Sequence, residues 1–194
     1  EECLVGSEAS VLAFTDGVSI VPLVSALDHK RAFDHDLGPN TGGMGALAPN
    51  PLYTESIAKE CMERIFLPTV RAMNAEGRRF KGCLYFGLML TKDGPKVIEY
   101  NCRFGDPETQ VVLPLLETDL FEIMLAVEEG RLGGLPVRLK SGAACCVVMA
   151  SKGYPVKYET GYEVSQGGAE NGKDIFVYHA GTKLENGKLL TSGG

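Results

Sequence analysis

The apolar positions of the first two dozen residues fall in strand-like runs. Residues 8–14 form one, Thr15-Asp16-Gly17 reads as a tight turn, and 18–24 predict a second strand. Residues 25–50 break the pattern with a long polar, glycine-rich segment, of a length that in a compact domain is a functional or a disordered loop. The period then becomes helical. Ile57, Cys61 and Ile65, with Met62 and Phe66 offset, make an apolar stripe over 54–76. Thr54 supplies an N-cap, Glu55 suits the positive helix start and Gly77 the stop, while Pro68 predicts a kink or a split. Strands follow over 82–91 and 96–101, joined by Lys92-Asp93-Gly94-Pro95, whose Asp-Gly pair is a hairpin signal. Helices are expected over 108–116 and 119–129, the second capped by Thr118 and stopped by Gly130. From Leu135 onward only short strands are expected, over 137–139, 144–150 and 175–179, with a hairpin at Asn186-Gly187. These elements imply a mixed α/β (α+β) class. An antiparallel sheet with flanking helices over 1–134 is followed by a small β-rich domain over 135–194, with the boundary near Gly133-Gly134. No internal repeat or low-complexity segment is visible.

Composition narrows the class. Of 194 residues, 44% are hydrophobic and 23% charged, as in an ordinary globular protein. No run is long and apolar enough to span a bilayer. The net charge of −6 argues against non-specific binding to nucleic acid or to anionic membrane. A protein this acidic must handle phosphates locally, with a metal ion or with backbone N–H groups. The six cysteines (Cys3, Cys61, Cys83, Cys102, Cys145, Cys146) contain no C-x-x-C pair, fit neither a disulfide framework nor a zinc site, and suit a reducing cytoplasm. Glu1-Glu2-Cys3 does not begin a signal peptide. A hairpin entered without preamble, and a final Thr191-Ser192-Gly193-Gly194 turn with nothing after it, suggest a piece of a longer chain.

The sharpest chemical feature is Lys96-Val97-Ile98-Glu99-Tyr100-Asn101-Cys102-Arg103. Residues two apart on a strand share a face, so Glu99, Asn101 and Arg103 project together. A carboxylate and an amide carbonyl are hard oxygen ligands of the kind magnesium takes when it also holds phosphates, and Arg103 can pair with phosphate or carboxylate. Taken alone, the triplet fits a solvent-facing row better. The loop Asn40-Thr41-Gly42-Gly43-Met44-Gly45-Ala46 lets the backbone approach a ligand and aim N–H groups at an anion, yet it is neither a P-loop nor a dinucleotide fingerprint. Asp28-His29-Lys30-Arg31 sets two cations just before it, by itself a solvated charge run and, beside such a loop, a candidate phosphate or substrate clamp. Glu1, Glu2 and Glu8 beside a strand suit ribose hydroxyls or plain surface charge. His29, His35 and His179 are taken as structural or exposed, and no nucleophile triad is present.

Five strings occur in one order and spacing: E-E-C-L-V-G-S-E-A-S (1–10), D-H-K-R (28–31), G-P-N-T-G-G-M-G-A (38–46), G-P-K-V-I-E-Y-N-C-R-F-G-D-P-E-T-Q (94–110) and V-M-A-S-K-G-Y-P (148–155). In these the chain resembles the ATP-grasp enzymes, and closely the phosphoribosylamine–glycine ligases of purine biosynthesis. The resemblance implies an ATP-grasp core fragment followed by a small β-rich domain. It implies that Glu99 and Asn101 ligate magnesium or manganese, and that Glu1, Glu2 and Leu4 receive adenine. Glu8 would meet ribose and Arg31 would be a further nucleotide contact. Lys30, Gly42, Gly43, Met44, Gly45, Arg103 and Asp106 would face the substrates glycine and 5-phosphoribosylamine, with Arg103 and Asp106 nearest the chemistry. The implied reaction is ATP-dependent amide formation through glycyl phosphate, in the cytoplasm. An N-terminal substrate domain, a lid over the triphosphate and closing strands are expected from the rest of a parent chain, so the 194 residues alone are expected to be inactive. Other readings are a different ATP-grasp carboxylate–amine ligase, a non-catalytic nucleotide-binding module, or one domain of a multifunctional purine enzyme.

Overall fold

The computed structural model describes residues 2–165 and 174–194. Strand β1 (Ser7–Thr15) turns through Asp16 and Gly17 into β2 (Ile20–Pro22), and the two pair antiparallel. Asp16 fixes this turn, its Oδ1 accepting the Val18 and Ser19 amides at 2.9 and 2.7 Å, and its Oδ2 the distant Leu132 amide at 3.1 Å. Burial opposes its charge, but these three amides outweigh burial and hold its carboxyl below the usual range.

The segment 25–50, expected to be a long loop, is built of short strands. These are β3 (Leu27–Asp28), β4 (Arg31–Phe33), β5 (Leu37–Asn40) and β6 (Gly45–Ala48). β3 pairs with β6 and β4 with β5. Two to four residues are too few to show a period, so local patterning hides them.

The helix expected over 54–76 is split. α1 (Glu55–Cys61) and α2 (Leu67–Ala75) are joined by a π-turn over Met62–Phe66. Pro68 lacks an N–H, and the chain widens its turn just before it, the Leu67 amide reaching the Met62 carbonyl. Thr54 Oγ1 caps the start by accepting the Ile57 amide at 3.4 Å, and Gly77 at φ 70° follows the end.

β7 (Gly82–Thr91) and β8 (Gly94–Asn101) form the expected hairpin. Its two-residue loop is Lys92–Asp93, one position earlier than the Asp-Gly pair suggests, with Gly94 at φ 102° already opposite Thr91. α3 (Thr109–Val112) tightens into a 3-10 turn at Pro114, and α4 (Leu120–Glu129) ends at Gly130 with φ 72°. The cap of α4 is Asp119, not Thr118. Asp119 Oδ1 accepts the Phe121 amide at 2.7 Å, while the Thr118 hydroxyl accepts the Arg138 amide at 2.8 Å.

The central sheet runs β2-β1-β7-β8, all antiparallel. Alternation on β1 sends Ala9, Val11 and Ala13 to one side, where Phe86 and Leu88 join Ile65, Phe66 and Val70 from the α1–α2 region. Leu12 and Phe14 face the other side with Cys83 and Tyr85, covered by Val111, Val112, Ile123 and Val127. Each such large side chain contributes about 1.5–3 kcal/mol by burial.

Beyond residue 134, β9 (Ala144–Val147) pairs with β6 and so adds to the sheet β3-β6-β9. β10 (Thr182–Glu185) and β11 (Lys188–Thr191) form the hairpin expected at Asn186-Gly187, both at positive φ. The strand expected over 137–139 is reduced to one bridge, Leu139 to Leu116, and that over 175–179 is absent. There Ile175, Phe176 and Tyr178 stay exposed, so apolar alternation meets no burying partner. No described helix is long and apolar enough to cross a membrane.

Candidate functional site

Strict alternation along β8 would put Val97, Glu99 and Asn101 on one face. A bulge prevents this: Glu99 lies opposite Gly87 but Val97 opposite Leu88, leaving Ile98 unpaired. Val97 thus joins the core beneath α1–α2, while Glu99 and Asn101 face the opposite side. Gly87 makes room for Glu99, since a Cβ there would stand 2.9 Å from Glu99 Cγ. Asn101 Nδ2 donates to Glu99 Oε1 at 3.2 Å. Arg103 donates to Asn101 Oδ1 at 3.5 Å and to the Phe104 carbonyl at 2.9 Å. A carboxylate and an amide in contact on an accessible strand end suit a hard divalent cation that keeps water or phosphate as its other ligands. The amide now turns its nitrogen to Glu99, and reversing it end for end would offer the oxygen.

Beside this pair on the same face lie Glu8 and Ser10 of β1. Glu8 binds Lys30 at 2.8 Å. Partial burial works against the Lys30 charge, yet Glu8, with help from Asp28 and Glu99, holds its ammonium above the usual range. Beneath them Glu108, only 3% exposed, accepts the Ser10 hydroxyl at 3.0 Å and the Tyr85 hydroxyl at 2.8 Å. Burial and the Glu108 charge push the Tyr85 phenol well up. Asp28, at the end of β3, has its carboxyl pushed up to about 6 by burial and then by Glu108, against the pull of Lys30. Among the described residues, its Oδ1 is the one buried side-chain atom without a hydrogen-bond partner.

The glycine loop ends at this acidic pocket. The amides of Thr41 and Met44 donate to the carbonyls of Lys30 and His29, both at 2.7 Å, and that of Gly43 to Thr41 Oγ1 at 3.0 Å. The Gly42 amide donates to the Tyr154 hydroxyl at 3.1 Å. Gly43 (φ 122°) and Gly45 (φ 155°) are required by close protein packing. A Cβ at Gly43 would strike Pro107, and one at Gly45 the Cys146 carbonyl. The loop thus approaches other protein segments as closely as it was expected to approach a ligand. Asp106 borders it, accepting Gln110 Nε2 at 2.6 Å.

The remaining expected residues lie further out. Glu2 is exposed and pairs with Lys96, Leu4 is half-buried, and Glu1 lies outside the described residues. Arg31 is exposed and donates to the Gly38 carbonyl at 2.7 Å, bracing β4 against β5. Sequence reasoning assigned no role to Asp28, Ser10, Tyr85, Glu108 or Tyr154. Ser10 follows Glu8 at strand spacing, the one signal that could have added it. An apolar groove of about 490 Å³, lined by Thr69, Met73, Phe80, Val97 and Tyr100, lies on the other side of the sheet. All six cysteines are free thiols, and burial pushes Cys83 up to about 12.

Residues 1–109 match the family described as phosphoribosylglycinamide synthetase, ATP-grasp (A) domain, and residues 144–194 match the C domain of the same enzyme. The chain belongs to the phosphoribosylglycinamide synthetase family. Among curated members, it is 52% identical over 194 residues to the phosphoribosylamine–glycine ligase of Caldanaerobacter subterraneus, covering all of this chain and 46% of that one. It is 49% identical over 195 residues to the human trifunctional purine biosynthetic protein adenosine-3, covering 19% of it. The crystal structure of the family member from Thermotoga maritima, a phosphoribosylamine–glycine ligase, superposes with a TM-score of 0.86 at 36% identity, over all of this chain and 47% of that one. The chain therefore spans about half the length of the synthetases it matches, and its mixed helices and antiparallel sheets are those of the ATP-grasp fold.

Proposed function

We propose that this chain carries part of the active site of a cytoplasmic ATP-dependent ligase joining glycine to 5-phosphoribosylamine in purine biosynthesis. The observation that carries the reading is Glu99, Asn101 and Arg103 gathered on one open sheet face beside Lys30 and the glycine loop. Glu99 and Asn101 would hold magnesium or manganese, which when bound neutralises charge on the ATP phosphates. Arg103 and Lys30 add fixed positive charge where the γ-phosphoryl group passes to the glycine carboxylate. The amine then attacks the acyl phosphate, which leaves an amide and free phosphate. Asp106 and loop 42–45 would border the two substrates. Glu2, Leu4, Glu8, Arg31 and Glu1 would line the nucleotide side, with the lid and substrate domain supplied by the rest of a parent chain. The division into 1–134 and 135–194 is part of this proposal, supported by the separate family matches at the two ends.

The deciding measurement is ADP release by the full-length protein with ATP and magnesium, omitting glycine and phosphoribosylamine in turn. Release that requires both is expected. Release with another acid or amine, and none with this pair, would overturn the reading.

A further inference from the structure

The string 148–155 is the one part of the family signature to which the proposed chemistry gives no task. It lies against the glycine loop, because β9 pairs with β6 and the Val148 amide donates to the Met44 carbonyl at 3.0 Å. Three of the four amides in 41–44 are satisfied by the neighbouring residues 29, 30 and 41. The fourth, on exposed Gly42, is held by Tyr154 alone, from the far end of the chain. A Cβ on Gly42 would meet nothing nearer than that hydroxyl, at 3.4 Å, so no side-chain packing restrains this position.

Tyr154 is itself well anchored. Its amide donates to the Ser151 carbonyl at 3.0 Å, and its ring lies against Tyr158 with centroids 5.9 Å apart. The last residues close over both rings: a Cβ on Gly194 would collide with Tyr154 and Tyr158, and Ser151 Oγ donates to the Gly193 carbonyl at 3.1 Å. An anchored tyrosine thus meets the one amide of 41–44 that lacks a local partner.

We infer that Tyr154 is a positioning residue, its hydroxyl fixing Gly42 so that loop 42–45 is pre-set to receive substrate. This rests on the ligase reading above and extends it to the small C-terminal part, which sets the substrate loop without touching the reacting atoms. Pre-setting a loop lowers the ordering cost of binding and leaves the bond-making step alone.

The test uses the full-length protein and Tyr154→Phe, which keeps the ring and removes the acceptor. One neutral hydrogen bond corresponds to about a fivefold change in an equilibrium. The KM for glycine or for phosphoribosylamine should therefore rise about fivefold, with kcat and the KM for ATP within about twofold. Hydrogen exchange at the Gly42 amide should quicken by a similar factor, and Tyr158→Phe should change neither. Unaltered exchange at Gly42 in Tyr154→Phe would overturn the inference, as would a uniform loss of kcat with a lowered melting temperature. The exchange measurement needs no turnover. If the wild-type protein failed to use the two substrates, the ligase reading would fall, and exchange would still decide whether Tyr154 holds the loop.

Discussion

Asp28 sits where a carboxylate is least comfortable, with one oxygen buried and unpartnered and Glu108 and Glu8 adding negative charge, against the pull of Lys30 and the His29 amide. Its folded pKa of about 6 stands above the ordinary value of 3.8. The sign follows from linkage: its favourable contribution is complete below about pH 4 and is lost as pH rises through about 6, so the charged form weakens the fold at neutral pH. Asp28→Asn should accordingly be more stable than the wild type at pH 7.5, by about 1–2 kcal/mol once partial solvent screening is allowed for, with the gap shrinking towards pH 4. Thermal unfolding across that range checks it, and a gap that does not change with pH would dismiss the electrostatic account. The sequence displays Asp28 only as the first letter of a charged string whose cations draw attention. What makes it special is burial and then Glu108, delivered from a remote helix start, and no local pattern announces that meeting.

At the scale of elements, the bulge in β8 decides the site. Alternation from Val97 would have put an apolar side chain on the face of Glu99 and Asn101. The unpaired Ile98 resets the phase, so the helix-side core keeps Val97 and the open face keeps both Glu99 and Asn101. Gly87 completes the device by leaving space for Glu99. Gly87→Ala should therefore displace Glu99 more than it harms the fold. In the full-length protein the magnesium concentration for half-maximal activity should rise, and kcat/KM should fall by about tenfold to a hundredfold, with only a few degrees lost in melting temperature. Unchanged magnesium dependence would separate Glu99 from the metal. The triplet itself was legible because side-chain period along a strand is a local property, as are the β7–β8 turn, the Thr54 cap and the Gly130 stop. The bulge was not, and neither were β3 to β6, because each is specified by a partner far along the chain. The same non-locality turned an expected loop into short strands, with Gly45 of β6 demanded by Cys146 and Gly43, between β5 and β6, by Pro107.

For the whole molecule the question is what a chain spanning about half its relatives' length can do. Glu99, Arg103 and Gly42 are exposed, and Asn101 is only partly covered, so the charges proposed to act on phosphate stand in water. In water two unit charges 4 Å apart interact by about 1 kcal/mol, and by about 4 kcal/mol at the effective dielectric of a protein surface. A face without a facing layer therefore lacks most of the electrostatic gain on which phosphoryl transfer depends. The chain covers 46% of the Caldanaerobacter ligase, which leaves room in such a protein for a covering layer. The 194-residue polypeptide alone should fold around its β2-β1-β7-β8 sheet, which has helices on both sides, yet form no ADP in response to glycine and phosphoribosylamine. Circular dichroism with a cooperative melt would report the fold, and a coupled ADP assay at millimolar substrates the chemistry. Sustained, doubly substrate-dependent ADP formation would mean that this one face suffices, and the case for a covering lid would have to be abandoned. A cooperative melt with no turnover would place the missing contribution in enclosure of the phosphates, because Glu99, Asn101, Arg103 and Lys30 would already be held in place.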